Sequence, residues 1–326
     1  MFDPGSTFDA TKDENMKKVL YLYASTTGEA VYYAKEREKV AGVDCLPLYK
    51  KKGLINKLLL GLGYYLFSPL LYLIYNDWKK ELNKYDIIIL PSRRPAKYAV
   101  QHFRRKTGKR VIVWYWNAIT KEELSPEYCR KYGCETWSFD KDDCKKYDMK
   151  FGDTYYFTPD SAPDTQPEHD LFYVGVDKKG RKESLRELSE LCRKNNLSFD
   201  CYLIKNPSAE SVDSSFPYSD YLSYVDVIRK VRNSRAVLDL TLSYQSGLTL
   251  RPLETLAFKK KLVTNNKVIT ESKAYDKDNT FIIEENGLEG LVEFLKSPYR
   301  DNGNNRFEFY KFENWLDRIE NSVEAY

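Results

Sequence analysis

Histidine, methionine and closely spaced cysteine pairs are scarce in this chain of 326 residues. It has two histidines, three methionines and six cysteines, and no two cysteines stand in a CxxC spacing. So few imidazoles leave a zinc site short of ligands, and cysteines at irregular intervals favour reduced thiols over a metal cluster. Charge is nearly balanced, at a formal +4, and no helix-turn-helix or RNA-binding pattern accompanies it. We therefore expect neither a metal cofactor nor a nucleic-acid partner.

A secretory leader and a clear membrane-spanning run are also missing. The chain opens on a polar and acidic stretch, 1–16, which we expect to be a flexible tail. Its longest apolar stretch, 58–75, is interrupted by Gly61, Gly63 and Pro69, and a broken run of that length is marginal for crossing a bilayer. These absences predict a cytoplasmic protein with its thiols reduced.

Apolar runs that fit buried parallel strands are present throughout, separated by segments of helical pattern. The runs in the first half lie at 19–23, 86–90, 111–116, 135–139 and 155–157. Three prolines at 158–167 interrupt the series, and a second series follows at 171–176, 199–204, 236–240 and 261–264. Runs without polar alternation indicate strands that are covered on both faces. Two such series predict an α/β protein with two Rossmann-like lobes that face each other across a cleft.

The most informative stretch, 245–266, has the pattern strand–loop–helix–strand. Backbone N–H groups of such a loop and the N-terminus of its helix form an anion site. Glu254 is the only acid in the stretch, one turn into the helix, where a carboxylate can accept hydrogen bonds from a ribose diol. The predicted binding residues here are Ser246, Gly247, Leu248, Thr249, Arg251 and Glu254. The alternative is that Glu254 is an ordinary solvated helix residue.

A second loop, 174–181, carries a similar signal. A strand ends there at Gly175 and is followed by cations and by the start of a helix, an arrangement that suits a diphosphate. Lys179 and Arg181 are the candidates to neutralise that diphosphate. A solvated turn rich in charge is the alternative.

The stretch 245–266 resembles the donor-binding half of GT-B glycosyltransferases, and most of all bacterial enzymes that build capsule, lipopolysaccharide or exopolysaccharide. The matching residues are Gly247, Leu248, Arg251, Pro252, Leu253 and Glu254, with the next strand at 262–264. The resemblance implies a transferase that takes its sugar from a nucleotide-sugar donor without a metal. Many retaining members carry a further glutamate eight positions before the one matched by Glu254. Ser246 stands at that position here, so retention or inversion stays open.

The same resemblance implies a division of labour between the lobes. Residues 17–165 are then an N-terminal domain facing acceptor and membrane, and 166–304 a C-terminal domain binding the nucleotide sugar. A C-terminal helix is predicted at 305–326, with a return to the N-terminal domain as one arrangement.

The turn after the first strand, 24–30, is predicted to face the acceptor through Thr26, Thr27 and Gly28. It also looks like the phosphate loop of a flavodoxin, which leaves an FMN protein as an alternative. An inverting transferase needs a general base within reach of the acceptor hydroxyl. Glu29 is the first candidate for that base and Asp140 the second, whereas His102 is expected at the surface.

The stretch 49–78 joins a basic cluster to an apolar run. Its lysines are Lys50, Lys51, Lys52 and Lys57, and tyrosines and a tryptophan accompany the apolar part. This composition predicts a segment that lies on an anionic membrane surface, on the inner face of the cell membrane, and meets a lipid-linked saccharide acceptor. A buried helix pair is the alternative for the segment. A non-catalytic membrane-anchoring subunit of a polysaccharide complex is the alternative for the protein.

Overall fold

The computed structural model describes residues 17–24, 28–50, 53–65, 68–158, 166–178, 180–206, 217–242, 247–303 and 305–322. These residues form two compact units. Unit 1 runs up to Trp137 and includes Tyr147–Lys150, and unit 2 contains Ser138–Lys146 and the chain from Phe151 onward.

Unit 1 is built around a sheet of six strands. The strands are β1 Val19–Tyr23, β2 Val43–Pro47, β3 Ile87–Pro91, β4 Arg110–Tyr115, β5 Glu135–Ser138 and β6 Lys150–Phe151. The helices are α1 Gly28–Glu38, α2 Leu54–Tyr65, α3 Leu71–Ile74, α4 Lys97–Thr107, α5 Pro126–Lys131 and α6 Lys141–Tyr147. The order is β2-β1-β3-β4-β5-β6, and the pairs from β2 to β4 are parallel. Both the last residue of β5 and most of α6 belong to unit 2.

Unit 2 has a second sheet, of five strands. They are β7 His169–Val176, β8 Phe199–Ile204, β9 Ser234–Asp239, β10 Lys261–Thr264 and β11 Thr280–Ile282, in the order β11-β10-β9-β7-β8, and every pair is parallel. The helices are α7 Arg181–Lys194, α8 Tyr224–Arg232, α9 Leu250–Ala257, α10 Ile283–Asn286, α11 Leu291–Lys296, α12 Phe307–Tyr310 and α13 Phe312–Asn321.

The apolar runs of the sequence are the centres of these sheets. Leu20, Ile88 and Ile112 in unit 1, and Leu171 and Val237 in unit 2, are fully buried. Strands covered by helices on both faces need apolar residues at every position, which explains why the runs lack alternation. The run at 155–157 is different, because it forms a single bridge, from Tyr156 to Lys311, in place of a strand.

Each sheet reverses its strand order at its first strand. β1 lies between β2 and β3, and β7 lies between β8 and β9. Where the connections from two neighbouring strands run to opposite sides of the sheet, a crevice opens at the carboxyl ends of those strands. The two candidate sites lie at these two edges.

The described residues of 49–75, which lie between β2 and β3 and are here called the helical excursion, form α2 and α3. An antiparallel bridge between Tyr49 and Tyr75 closes its base. Leu71 is buried, whereas Leu58 and Leu73 are 63% and 60% exposed. The segment therefore packs on unit 1 in one part and is open to solvent in another. Within the described residues, no helix is both long and apolar enough to cross a membrane.

Candidate functional site

Arg181 joins the ends of β7 and β9 at the carboxyl edge of unit 2. Its Nη1 donates to the carbonyl of Val176 and its Nη2 to the carbonyl of Leu240, each at 2.7 Å. Its Nε–H is buried and has no partner among the described residues. A Cβ on Gly175 would lie 3.1 Å from Nη1 and 2.4 Å from the hydroxyl of Tyr173, so a glycine permits this close approach. Arg181 thus links the backbone after β7 to the backbone after β9. The sequence analysis predicted only that its charge neutralises a diphosphate.

A buried carboxylate, Asp239, ends strand β9. Thr249 donates to its Oδ1 at 2.9 Å, and burial raises the pKa of the carboxyl to about 6. Thr249 is also the N-cap of α9, where its side chain accepts from the N–H of Arg251. Asp239 therefore fixes the start of the helix that the sequence analysis placed at the donor. The sequence analysis missed Asp239, although an acid at the end of an apolar strand was a visible signal.

Gly247 is held by Asp140. Its N–H donates to Oδ2 of Asp140 at 3.1 Å, and a Cβ there would lie 2.4 Å from the ring of Phe139. The other oxygen of Asp140 accepts from the N–H groups of Asp142 and Asp143, both at 3.0 Å, and so caps α6. Asp140 is 1% exposed and belongs to unit 2. This corrects its selection as a general base of the N-terminal lobe, because a buried capping carboxylate has no access to an acceptor hydroxyl.

The carboxylate of Glu254 is fully buried. Tyr224 donates to its Oε1 at 2.7 Å, and Arg251 pairs with its Oε2. The hydroxyl of Tyr224 also lies 3.1 Å from that of Tyr156. The sequence analysis expected either a lone carboxylate ready for a ribose or a solvated residue, and the structure shows neither. A ribose diol would have to replace Tyr224 or Arg251, and ribose binding by Glu254 stays a prediction.

A pocket of about 200 Å³, here called the loop pocket, lies beside Gly247 and Leu248. The carbonyl of Leu248 accepts from the hydroxyl of Thr154 at 3.1 Å, which ties the loop after β9 to the pocket wall. The remaining lining residues are Phe139, Lys141, Phe151, Asp153, Val268, Glu271, Ser272, Lys273 and Phe309. Neither Asp153 nor Lys273 was selected from the sequence, where no motif sets them apart.

Unit 1 has a pocket of about 400 Å³ at the carboxyl ends of β1, β3 and β4. Glu29, in the first turn of α1, lies in its lining. The lining also holds the rings of Tyr33 and Trp116, and the buried guanidinium of Arg37 stands 4.0 Å above the ring of Tyr21. The structure thus places Glu29 at an aromatic pocket on the edge where this fold leaves a crevice.

The remaining predicted residues are more scattered. Lys50 is exposed, and its N–H donates to the carbonyl of Ile74 at the base of the excursion. His102 is half-buried on α4, its ring stacked 5.4 Å from that of Tyr98, which corrects the expectation of a surface residue.

Several predicted positions fall outside the described residues: Thr26, Thr27, Lys51, Lys52, Lys179, Ser246 and the side chain of Lys57. Gly28, which begins α1, is described by its backbone alone. The flavodoxin-like alternative depends on this same turn.

Solved structures with a similar fold cover nearly the whole chain. An α-glucosyltransferase in complex with UDP and a mismatched 13-mer DNA is 13% identical over 94% of this chain and 100% of its own, with a TM-score of 0.62. A UDP co-structure of S. aureus MnaA (12% identity, 94% and 95% coverage, TM-score 0.48) and a UDP-GlcNAc 2-epimerase from Methanocaldococcus jannaschii (10%, 94% and 100%, 0.46) are more distant. No family model matches the chain, and no curated protein matches it in sequence. The likeness to the α-glucosyltransferase, with the two parallel sheets, confirms the α/β class with two Rossmann-like lobes, the GT-B fold.

Proposed function

We propose that this protein is a glycosyltransferase that moves a sugar from a nucleotide-sugar donor to a lipid-linked saccharide acceptor in bacterial surface polysaccharide synthesis. The observation that carries the proposal is the crevice of unit 2. There Thr249 caps the N-terminus of α9, and the guanidinium of Arg181, whose Nε–H has no partner among the described residues, lies at the carbonyls of Val176 and Leu240. Backbone N–H groups at a helix start and a guanidinium are the groups that bind a diphosphate. The similar α-glucosyltransferase was solved with UDP, which supports a nucleotide as the ligand.

The pocket of unit 1 is the proposed acceptor site. The rings of Tyr33 and Trp116 offer faces on which a sugar can stack, and Glu29 offers a carboxylate. For an inverting reaction, Glu29 takes the proton of an acceptor hydroxyl whose oxygen bonds to the anomeric carbon. The bond from that carbon to the phosphate oxygen breaks, and its electron pair leaves with the nucleotide.

The helical excursion is the proposed membrane contact, which would make the protein peripheral on the inner face of the cell membrane. Leu58 and Leu73 are exposed, and Lys50 lies exposed at its base. An apolar surface beside basic residues fits the interface of an anionic bilayer, where a lipid-linked acceptor is held.

A thermal-shift screen against UDP-, GDP-, TDP- and CMP-sugars tests the donor. We expect one nucleotide class to raise the melting temperature with increasing concentration, because a ligand that binds only the folded state stabilises it. With that donor and a membrane extract as acceptor, Glu29→Gln should lower turnover at least about a hundredfold if Glu29 is the base. The exposed Glu313→Gln is the matched control. No shift with any of the four classes would refute the proposal.

A non-catalytic membrane-anchoring subunit is the second candidate. The occupied carboxylate of Glu254 favours it, because Tyr224 and Arg251 fill the position of a ribose. Vesicle binding without any thermal shift by nucleotide sugars would select this candidate.

A further inference from the structure

The loop pocket contains a carboxylate that the structure leaves available. Asp153 is half-buried, and no side chain among the described residues forms a hydrogen bond or an ion pair with it. Burial raises the pKa of this carboxyl against the opposing charges of Arg318, Lys141 and Lys273. The backbone N–H of Asp153 also opposes this rise, so the carboxylate has one local hydrogen bond but no side-chain partner to offset its desolvation.

The nearby cations contact other groups, although one nitrogen of Arg318, Nη2, is buried without a partner among the described residues. Lys141 lies 3.5 Å from Glu271, and the ammonium of Lys273 stands 4.0 Å above the ring of Phe309. Arg318 donates to the carbonyl of Phe309 at 2.9 Å. The oxygens of Asp153 thus remain as acceptors at the edge of the pocket.

The lining of the pocket restricts its ligand. The rings of Phe139, Phe151 and Phe309 offer apolar faces, whereas Asp153, Glu271 and the lysines offer acceptors and donors around them. The two carboxylates and the two lysines leave the lining without a net charge, which favours a ligand that is not strongly charged itself. A pyranose has both features that this lining needs: an apolar C–H face and a rim of hydroxyls that donate and accept.

The size and position of the pocket agree with one sugar ring. At about 200 Å³ it is below the roughly 300–1,000 Å³ of pockets that hold drug-sized ligands, so a whole nucleotide sugar does not fit. Gly247 and Leu248, from the loop proposed to bind the diphosphate, form part of its wall. A sugar bonded to that diphosphate therefore has the loop pocket as its neighbour.

We propose that the loop pocket holds the sugar ring of the donor and that Asp153 accepts a hydrogen bond from one of its hydroxyls. This inference rests on the proposed function and adds a residue that selects the sugar. Asp153 acts in binding, as a positioning residue for the donor.

Calorimetry with two probes tests the inference: the sugar nucleotide that gives the largest thermal shift, and its bare nucleoside diphosphate. Asp153→Asn should weaken binding of the sugar nucleotide about tenfold or more, as expected for one hydrogen bond to a charged group, and leave the bare nucleotide within about twofold. Phe151→Leu, at a residue that is 40% exposed, should likewise weaken only the sugar nucleotide. Asp301→Asn, an exposed position outside the pocket, is the control for charge and should change neither affinity.

Stability separates a ligand-binding role from a structural one. Asp153→Asn removes a desolvated charge, and its amide oxygen can still accept from the backbone N–H of the same residue, so its melting temperature should equal or exceed that of the wild type. Equal weakening of both probes, unchanged binding of the sugar nucleotide, or a lower melting temperature would each overturn the inference. Binding of neither probe by the wild type would instead refute the proposed function itself.

Discussion

Tyr224, the first residue of α8, donates a 2.7 Å hydrogen bond to the fully buried carboxylate of Glu254 on α9. Arg251 pairs with the other oxygen, so the first turns of α8 and α9 both contact the carboxylate of Glu254. Glu254 therefore organises the crevice of unit 2 from inside, and the consequences of its loss extend to stability.

Glu254→Ala should lower the free energy of unfolding by about 3–5 kcal/mol, the usual loss when one partner of a buried ion pair is removed. Tyr224→Phe, which deletes only the hydroxyl, should cost about 1.5–3 kcal/mol, because it leaves an oxygen of a buried carboxylate unpaired. Urea unfolding measures both. If Glu254→Ala is as stable as the wild type, the bonds from Tyr224 and Arg251 to Glu254 are not formed in solution. That result would support the prediction that Glu254 binds a ribose.

Asp239 should give the protein a pH-dependent stability. Burial raises its pKa from 3.8 to about 6, so between these values the folded state binds more protons than the unfolded state. The free energy of unfolding therefore falls as the pH rises from about 4 to about 6, by about 2–3 kcal/mol for this group.

Asp239→Asn should lack that fall. The measurement is urea unfolding at several pH values from 4 to 7, with the exposed Asp317→Asn as the matched control. As the pH rises through this range, the free energy of unfolding of the wild type should fall relative to that of Asp239→Asn. A constant difference would show that Asp239 does not titrate there.

Gly247→Ala should displace the loop after β9. Its Cβ would lie 2.4 Å from the ring of Phe139 and 2.9 Å from the carbonyl oxygen of the same residue, and overpacking of this kind costs about 1–3 kcal/mol. We expect a lower melting temperature and weaker binding of the nucleotide. At Gly61, on α2, an added Cβ meets nothing within 4 Å, so Gly61→Ala should leave both unchanged or raise stability slightly.

The basic cluster should bind anionic vesicles in a salt-sensitive way. Each lysine near such a surface contributes about 1 kcal/mol, so replacing all four by glutamine should release the protein in a flotation assay. The replaced residues are Lys50, Lys51, Lys52 and Lys57.

A charge-matched control for that assay changes four exposed lysines elsewhere: Lys39, Lys131, Lys194 and Lys296. This control should float like the wild type, and both variants should keep the affinity for the nucleotide. Equal release of the two variants would mean that overall charge, rather than the excursion, drives binding.

The central strands of both sheets could be predicted because burial on two faces leaves an unbroken apolar signal. The edge strands β2, β6 and β11 could not, because they are short or carry polar residues. The loop at Gly247 could be predicted as well, since a turn that needs glycine precedes a helix with a clear apolar face. The surroundings of Glu254 could not be predicted, because its partner Tyr224, and Tyr156 beside the hydroxyl of Tyr224, come from distant parts of the chain. Asp140 was misjudged for the same reason: its partner Gly247 is adjacent only in the folded chain.

The bridge between Tyr49 and Tyr75 brings both ends of the excursion to one point on unit 1. An insertion whose two ends meet need not shift the strands before and after it. Closing a short turn at this point costs far less conformational entropy than ordering the whole segment. The excursion is thus an insertion that is closed at its base, and among its described residues the buried ones, such as Leu71 and Ile74, contribute to the core of unit 1. Changes confined to the exposed part of the excursion, at Leu58 and Leu73, should therefore leave the sheet of unit 1 in place.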